Sequence, residues 1–158
     1  MGNMDMTKIL FICHGNICRS PMAEFIFKRI AETSGTSPLF EVASAATSRE
    51  EIGNDIYPPA KRIMAAHGIP FESRHARQMT KADYDYYDHI ILMDRNNIRN
   101  FTRMFGEPSS KVKLLMDFTD RPGDVSDPWY SGDFETAYND IYEGCTGLYN
   151  FLLKDAEK

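Results

Sequence analysis

Apolar residues gather in four short runs along the chain, Lys8–Ile12, Phe40–Ala43, His89–Met93 and Val112–Met116. Three of them carry Ile or Val without clean alternation with polar positions, the pattern of strands covered on both faces. Elsewhere the apolar spacing changes to three and four, which predicts helices. One covers Pro21–Thr33, with Ser20 as its N-cap, Pro21 at its first position and Gly35 just past its end. A second opens at Pro58 and Pro59 and stops at His67-Gly68. A third runs over Asn96–Phe105, and a long last helix from Phe134 to about Leu153. Strands alternating with helices predict an α/β fold, a parallel sheet of four strands flanked by helices on both faces. The polar stretch Thr47–Tyr57 reads as a mobile rim loop. Tyr84, Tyr86 and Tyr87, interleaved with Asp83, Asp85 and Asp88, read as a half-buried junction before the third strand, with a partner-docking or phosphorylated patch as the weaker reading.

The 158 residues suit one domain, 1–158, with a real core. A net charge of −5 argues against nonspecific nucleic-acid binding. No window approaches a membrane span, so no membrane partner is expected. The N-terminus is short and polar, without the apolar core of a signal peptide, and position 6 is Met6, which argues against myristoylation at Gly2. Three cysteines are too few and too odd for a disulfide scaffold, so a reducing, cytoplasmic location is expected. Cys13 and Cys18 lack a second pair of ligands for zinc, so no metal and no cofactor are expected.

Candidate chemistry concentrates in Cys13-His14-Gly15-Asn16-Ile17-Cys18-Arg19-Ser20, between the first strand and the first helix. Such a loop can aim several backbone N–H groups at one anion, with the helix N-terminus adding positive potential. Thiols in such fields ionise readily, and the thiolate is the nucleophile. Cys13 is therefore the candidate nucleophile, with Ser20 placed to donate to it. Arg19 supplies a planar fork for phosphate oxygens. A cation near a helix start opposes the dipole, and a bound anion would resolve that conflict. Asn16 is expected to hold the loop with a positive φ, and Gly15 to allow close backbone approach. His14 either lines the rim or faces solvent.

Cleavage of an aryl phosphate also needs an acid for the departing oxygen. Asp127 precedes Pro128, which pushes its backbone towards an extended form, and Trp129 and Tyr130 follow as possible walls for an aromatic ring. An equally weighted reading is a plain Asp-Pro turn with Trp129 in the core. Cys18 either packs beneath the loop or forms a reversible disulfide with Cys13. Cys145 lies on the apolar stripe of the last helix, as core.

Cys13 to Pro21 resembles the signature loop of the low-molecular-weight protein tyrosine phosphatases. Asp127-Pro128-Trp129-Tyr130 is similar to that family's late Asp-Pro-aromatic segment. Ser44-Ala45-Ala46, His67-Gly68-Ile69, Ala76-Arg77-Gln78 and Met93-Asp94 are also similar to family positions, and the likeness covers about residues 7 to 153. The resemblance implies a four-stranded parallel sheet with a phosphate-binding loop after the first strand, and metal-free hydrolysis of phosphotyrosine proteins. It implies that Cys13 attacks phosphorus, that Arg19 and the loop amides hold the phosphoryl group or free phosphate, and that Asp127 acts first as acid and then as base. Ser20 would stabilise the thiolate, and Asn16, Ser44 and His67 would support the loop. Two departures stand out. Glu50 and Glu51 occupy a rim where many members carry a bulky residue, making one cleft wall acidic. Arg74-His75 reverses the order common before Ala76. The competing readings are a thiol-linked arsenate reductase, whose relay cysteines are missing from Met79–Asp94, an idle phosphate-binding or redox-sensing module, and a sugar-system phosphocarrier. The last two need no Asp127.

Overall fold

The computed structural model describes residues 6–156; Gly2 lies outside them. Four parallel strands, β1 (Thr7–Cys13), β2 (Phe40–Ala46), β3 (His89–Leu92) and β4 (Val112–Leu114), form a sheet in the order β2-β1-β3-β4. Thr7 pairs with Phe40 and Cys13 with Ala46 on one side of β1, and Ile9 pairs with His89 on the other. β1 is thus central, and the chain reverses its winding there. Parallel sheets bind ligands beyond the carboxyl end of such a strand.

Alternation along β1 explains its unbroken apolar sequence. Ile9, Phe11 and Cys13 face a core shared with α1 (Arg19–Thr33), α2 (Pro58–Ala66) and α6 (Phe134–Ala156), where Met22, Phe27, Met64, Ile141 and Leu148 are buried. Leu10 and Ile12 face the opposite core, against Tyr87 and Phe101 beside α3 (Lys81–Tyr86) and α4 (Arg95–Phe105). Strands buried on both faces need apolar residues at every position. Cys145 is fully buried on α6, its Sγ 3.6 Å from the Ala23 carbonyl, and burial pushes its thiol pKa up.

Four expectations are corrected or refined. The first helix begins at Arg19 with Cys18 in the cap position, so Ser20 is not its N-cap and Pro21 is its third residue. The Ser20 hydroxyl points into the loop instead, 3.0 Å from the Cys13 sulfur and accepting from Asn16 Nδ2 at 2.8 Å. The run Val112–Met116 is strand only to Leu114. Leu115–Phe118 form a 3-10 turn, with Asp117 accepting from the Leu114 N–H at 3.2 Å. The tyrosine-aspartate junction contains a helix, α3, started by a capping box in which Thr80 and Asp83 exchange hydrogen bonds. The stretch Thr47–Tyr57 is tied down, with Thr47 N–H donating to the Cys13 carbonyl at 3.0 Å and Tyr57 N–H to the Ile17 carbonyl at 2.9 Å.

The 3-10 turn packs closely on α6 because two glycines let it. A Cβ on Gly147 would stand 2.0 Å from the Phe118 carbonyl oxygen, and one on Gly144 would stand 2.5 Å from Leu115 Cγ. Backbone cannot yield to the first clash as a leucine side chain can to the second. Gly147→Ala is expected to destabilise the fold by about 2–3 kcal/mol through overpacking, lowering the melting midpoint by about 5–10 °C. Gly144→Ala should cost less, and thermal denaturation of the pair measures the difference.

Candidate active site

The loop after β1 folds around the Cys13 sulfur. Asn16 N–H points at Sγ from 3.3 Å and Ser20 N–H from 3.4 Å, and the Ser20 hydroxyl lies 3.0 Å away. Three polar groups, two amides and a hydroxyl, thus converge on one buried sulfur. Asn16 has φ 60°, the positive value expected from sequence, and is fully buried. Its Nδ2 donates to Ser20 Oγ at 2.8 Å, and its Oδ1 accepts from the Arg77 N–H at 3.3 Å. Asn16 therefore clamps the loop between the start of α1 and the returning segment Ala76–Met79. That segment lies alongside the end of β2, with Met79 N–H donating to the Ala46 carbonyl at 2.8 Å.

Arg19 is 3 % exposed and is held by groups distant in sequence. Nη1 donates to Asp94 Oδ2 at 2.9 Å and to the Val125 carbonyl at 3.0 Å, and Nη2 approaches Asp127 Oδ2 at 3.4 Å. Burial opposes its charge, but Cys13, Asp94 and Asp127 outweigh that cost and raise the guanidinium above its usual range. One edge of the fork is thus an anchor, and the other faces the loop and Asp127. Asp94 was the site residue that sequence reasoning missed as a participant. It ends the segment after β3 and caps α4, accepting from Asn97 N–H at 2.8 Å. A carboxylate capping a helix at the carboxyl end of a neighbouring strand was the available signal.

Asp127 caps α5 (Pro128–Ser131), with Oδ1 accepting from Trp129 N–H at 3.1 Å. The core reading of Trp129 is wrong. Its side chain is exposed and packs on Tyr57, ring centroids 5.0 Å apart, while Tyr130 is 87 % exposed. Trp129, Tyr130 and Asp127 line a cleft of about 450 Å³ together with Cys13, His14, Gly15, Ile17, Cys18 and Arg19. Glu50 and Glu51 line its rim. His14 Nε2 and a Glu50 carboxylate oxygen, both exposed, are in hydrogen-bond contact at that rim, so His14 faces the cleft mouth. Gly15 leaves room for this arrangement, since a Cβ there would stand 3.2 Å from Glu51 Cγ.

Two further residues, Ser44 and His67, lie elsewhere than the resemblance implied. Ser44 donates to Glu24 at 2.6 Å rather than to the loop. His67 stacks on Tyr138 at 3.9 Å and pairs with Glu135. His75 Nδ1 meets the Gly53 carbonyl at 2.8 Å, and the reversed Arg74-His75 order leaves the support of Asn16 to the Arg77 backbone. Cys18 is a free thiol packed with Ile17 and Ala76, its pKa pushed up by burial first and by Cys13 second.

A buried cysteine sulfur ringed by two amides and a hydroxyl beside an anchored guanidinium, at the winding reversal of a parallel sheet, is an arrangement that can receive an oxyanion. The family model for Low molecular weight phosphotyrosine protein phosphatase matches residues 8–158. The chain is 37% identical over 155 residues to the low molecular weight protein-tyrosine-phosphatase YfkJ of Bacillus subtilis, covering 96% of this chain and 99% of that protein. It is 37% identical over 151 residues to the low molecular weight phosphotyrosine protein phosphatase of Homo sapiens, covering 92% and 95% respectively. The crystal structure of YfkJ superposes with a TM-score of 0.93 over 98% of this chain and 99% of that one, at 38% identity. The low molecular weight protein tyrosine phosphatase of Streptococcus pyogenes gives 0.84 over 93% of both, also at 38% identity. The chain belongs to the low molecular weight phosphotyrosine protein phosphatase family and is a protein tyrosine phosphatase, a hydrolase.

Proposed function

We propose that this phosphatase acts without metal through a phosphocysteine, with Cys13 as nucleophile, Arg19 as clamp and Asp127 as acid and base. The observation that carries the reading is the convergence on one buried sulfur of two amides and a hydroxyl, with an anchored guanidinium beside it. Cys13 Sγ attacks phosphorus while the bond to the tyrosyl oxygen breaks. The leaving oxygen takes a proton from Asp127. Water then attacks phosphorus, Asp127 accepts its proton, and the sulfur departs as thiolate with free phosphate as product. Loop amides and the free edge of Arg19 hold the equatorial oxygens, and the grip tightens as charge spreads. An incoming phosphoryl group takes the place of Asp127 on Nη2, where the present contact is a long 3.4 Å. That exchange releases the carboxyl towards the leaving group.

Arsenate reduction by a cysteine relay has little support. The third cysteine, Cys145, is buried between α6 and α1 and bonded to Ala23. We read residues 1–158 as one catalytic domain with phosphotyrosine proteins as substrates, a cytoplasmic setting and no nucleic-acid partner. Three buried free thiols and a net charge of −5 support that setting. Among the described residues no helix is long and apolar enough to cross a membrane.

Asp127→Asn tests the acid. Loss of a general acid costs about 10²–10⁴-fold when the leaving group needs a proton. Phenyl phosphate and phosphotyrosine should therefore lose far more activity than p-nitrophenyl phosphate, whose phenolate leaves unaided. Equal losses across the series would remove Asp127 from this role. The wild-type rate should persist in excess chelator.

A further inference from the structure

Helix α4 turns one face towards the catalytic cleft. Asn96, Arg99, Asn100 and Arg103, at spacings of three and four, line the same cavity as Arg19 and Asp127. Both arginines are exposed, and among the described residues neither meets a carboxylate. Arg99 donates to Asn96 Oδ1, and Arg103 to Asn100 Oδ1 at 2.7 Å, so each is oriented by a neutral amide one turn before it. The contrast on the same helix is Arg95, which pairs with Asp124 at 3.2 Å. The chain has 23 acidic side chains against 18 basic ones. Two guanidiniums held only by neutral amides thus stand beside the site. The opposite rim carries Glu50 and Glu51. Charge across the cleft is thus asymmetric, positive along α4 and acidic at the facing wall.

We propose that Arg99 and Arg103 form a recognition edge for acidic residues flanking the phosphotyrosine, so that the preferred substrates carry Asp or Glu on one side of it. The inference rests on the phosphatase reading above. Helical rise supplies the scale. Arg99 and Arg103 follow the capping Asp94 at 1.5 Å per residue, about 7.5 and 13.5 Å along the axis. An extended peptide covers that span in about two to four residues. The flanking carboxylates that fit are those about two to four positions from the phosphotyrosine. An acidic residue directed the other way meets Glu50 and Glu51 and gains nothing. Exposed charges of this kind act over about a Debye length, some 8 Å at physiological salt.

The test compares kcat/KM for phosphotyrosine peptides carrying Glu or Gln at those positions, placed before the phosphotyrosine in one pair and after it in another. The Glu-to-Gln ratio is read within each protein, so a general change in rate cancels. In the wild-type protein the ratio should reach about 3–10 on one side at low salt and shrink towards 1 in about 0.5 M salt. Arg99→Gln with Arg103→Gln should bring it to about 1, and Arg99→Glu with Arg103→Glu below 1. A wild-type ratio near 1 on both sides, or one that survives the arginine substitutions, overturns the edge. Hydrolysis of p-nitrophenyl phosphate, which has no flanks, separates the two readings. If it proceeds while the peptides are charge-blind, the edge alone fails. A wild-type protein inert towards it overturns the phosphatase reading and the edge with it.

Discussion

Cys13→Ser should abolish turnover, lowering kcat by about 10⁵-fold or more, while phosphate and vanadate still bind. The groups that would hold the oxyanion are not those that attack it. Asn16 and Ser20 amides and the Arg19 fork are fixed by Arg77, Asp94 and Val125, none of which depends on the sulfur. A hydroxyl in place of the thiol is far harder to ionise and cannot form the phosphocysteine. Rates with p-nitrophenyl phosphate and calorimetric titration with phosphate measure the two halves of the expectation. Turnover in the variant within tenfold of wild type would mean that another group attacks phosphorus.

Arg19→Lys is the second large effect, and it should lower kcat by about 10²–10³-fold although the charge is kept. The native guanidinium works at both edges. Nη1 is tied to Asp94 and Val125 while Nη2 stays on the cleft side near Asp127. An ammonium is a point donor on a flexible stem and cannot span these positions. It settles on Asp94, leaving the phosphoryl oxygens without their fork, or turns to the loop and leaves Asp94 unpaired. Arg19→Ala should be worse on both counts, with stability reduced by about 3 kcal/mol because Asp94 is left buried beside no cation. Steady-state kinetics and thermal melts of the two variants separate geometry from charge. Near-native kcat in Arg19→Lys would show that charge alone suffices.

The loop was legible in sequence because its parts are contiguous. Cys13, Asn16, Arg19 and Ser20 fall within one turn of backbone, and their chemistry predicts their geometry, including the positive φ of Asn16. The two-sided burial of the strands followed from the same local evidence; their order did not. Long-range partnerships did not. Asp94 reaches Arg19 across 75 positions, and its place as a cap at the end of a neighbouring strand hints at the site without naming Arg19 as its partner. Ser20 was misassigned for a related reason. Its local pattern suits a cap, and only the folded loop shows its hydroxyl committed to Cys13. Val112–Met116 reads as one apolar run, yet it bends after Leu114 because Gly144 and Gly147 admit a turn against α6. Complementarity between segments thirty residues apart leaves no periodic trace. The Asp-Pro segment shows the middle case, where sequence left Trp129 between cleft wall and core, and its exposure removes the core placement.

The fixing of Arg19 by Asp94 and Val125 has a consequence for how the molecule assembles. Cys13, the proposed nucleophile, lies in the first tenth of the chain, but the guanidinium beside it is oriented only when segments 75 and 106 positions after Arg19 have docked. A nascent or truncated chain can curl its anion-binding turn early and still be catalytically silent. Contacts so distant in sequence carry a high loop-closure cost, which makes enzymatic competence a reporter of the finished molecule.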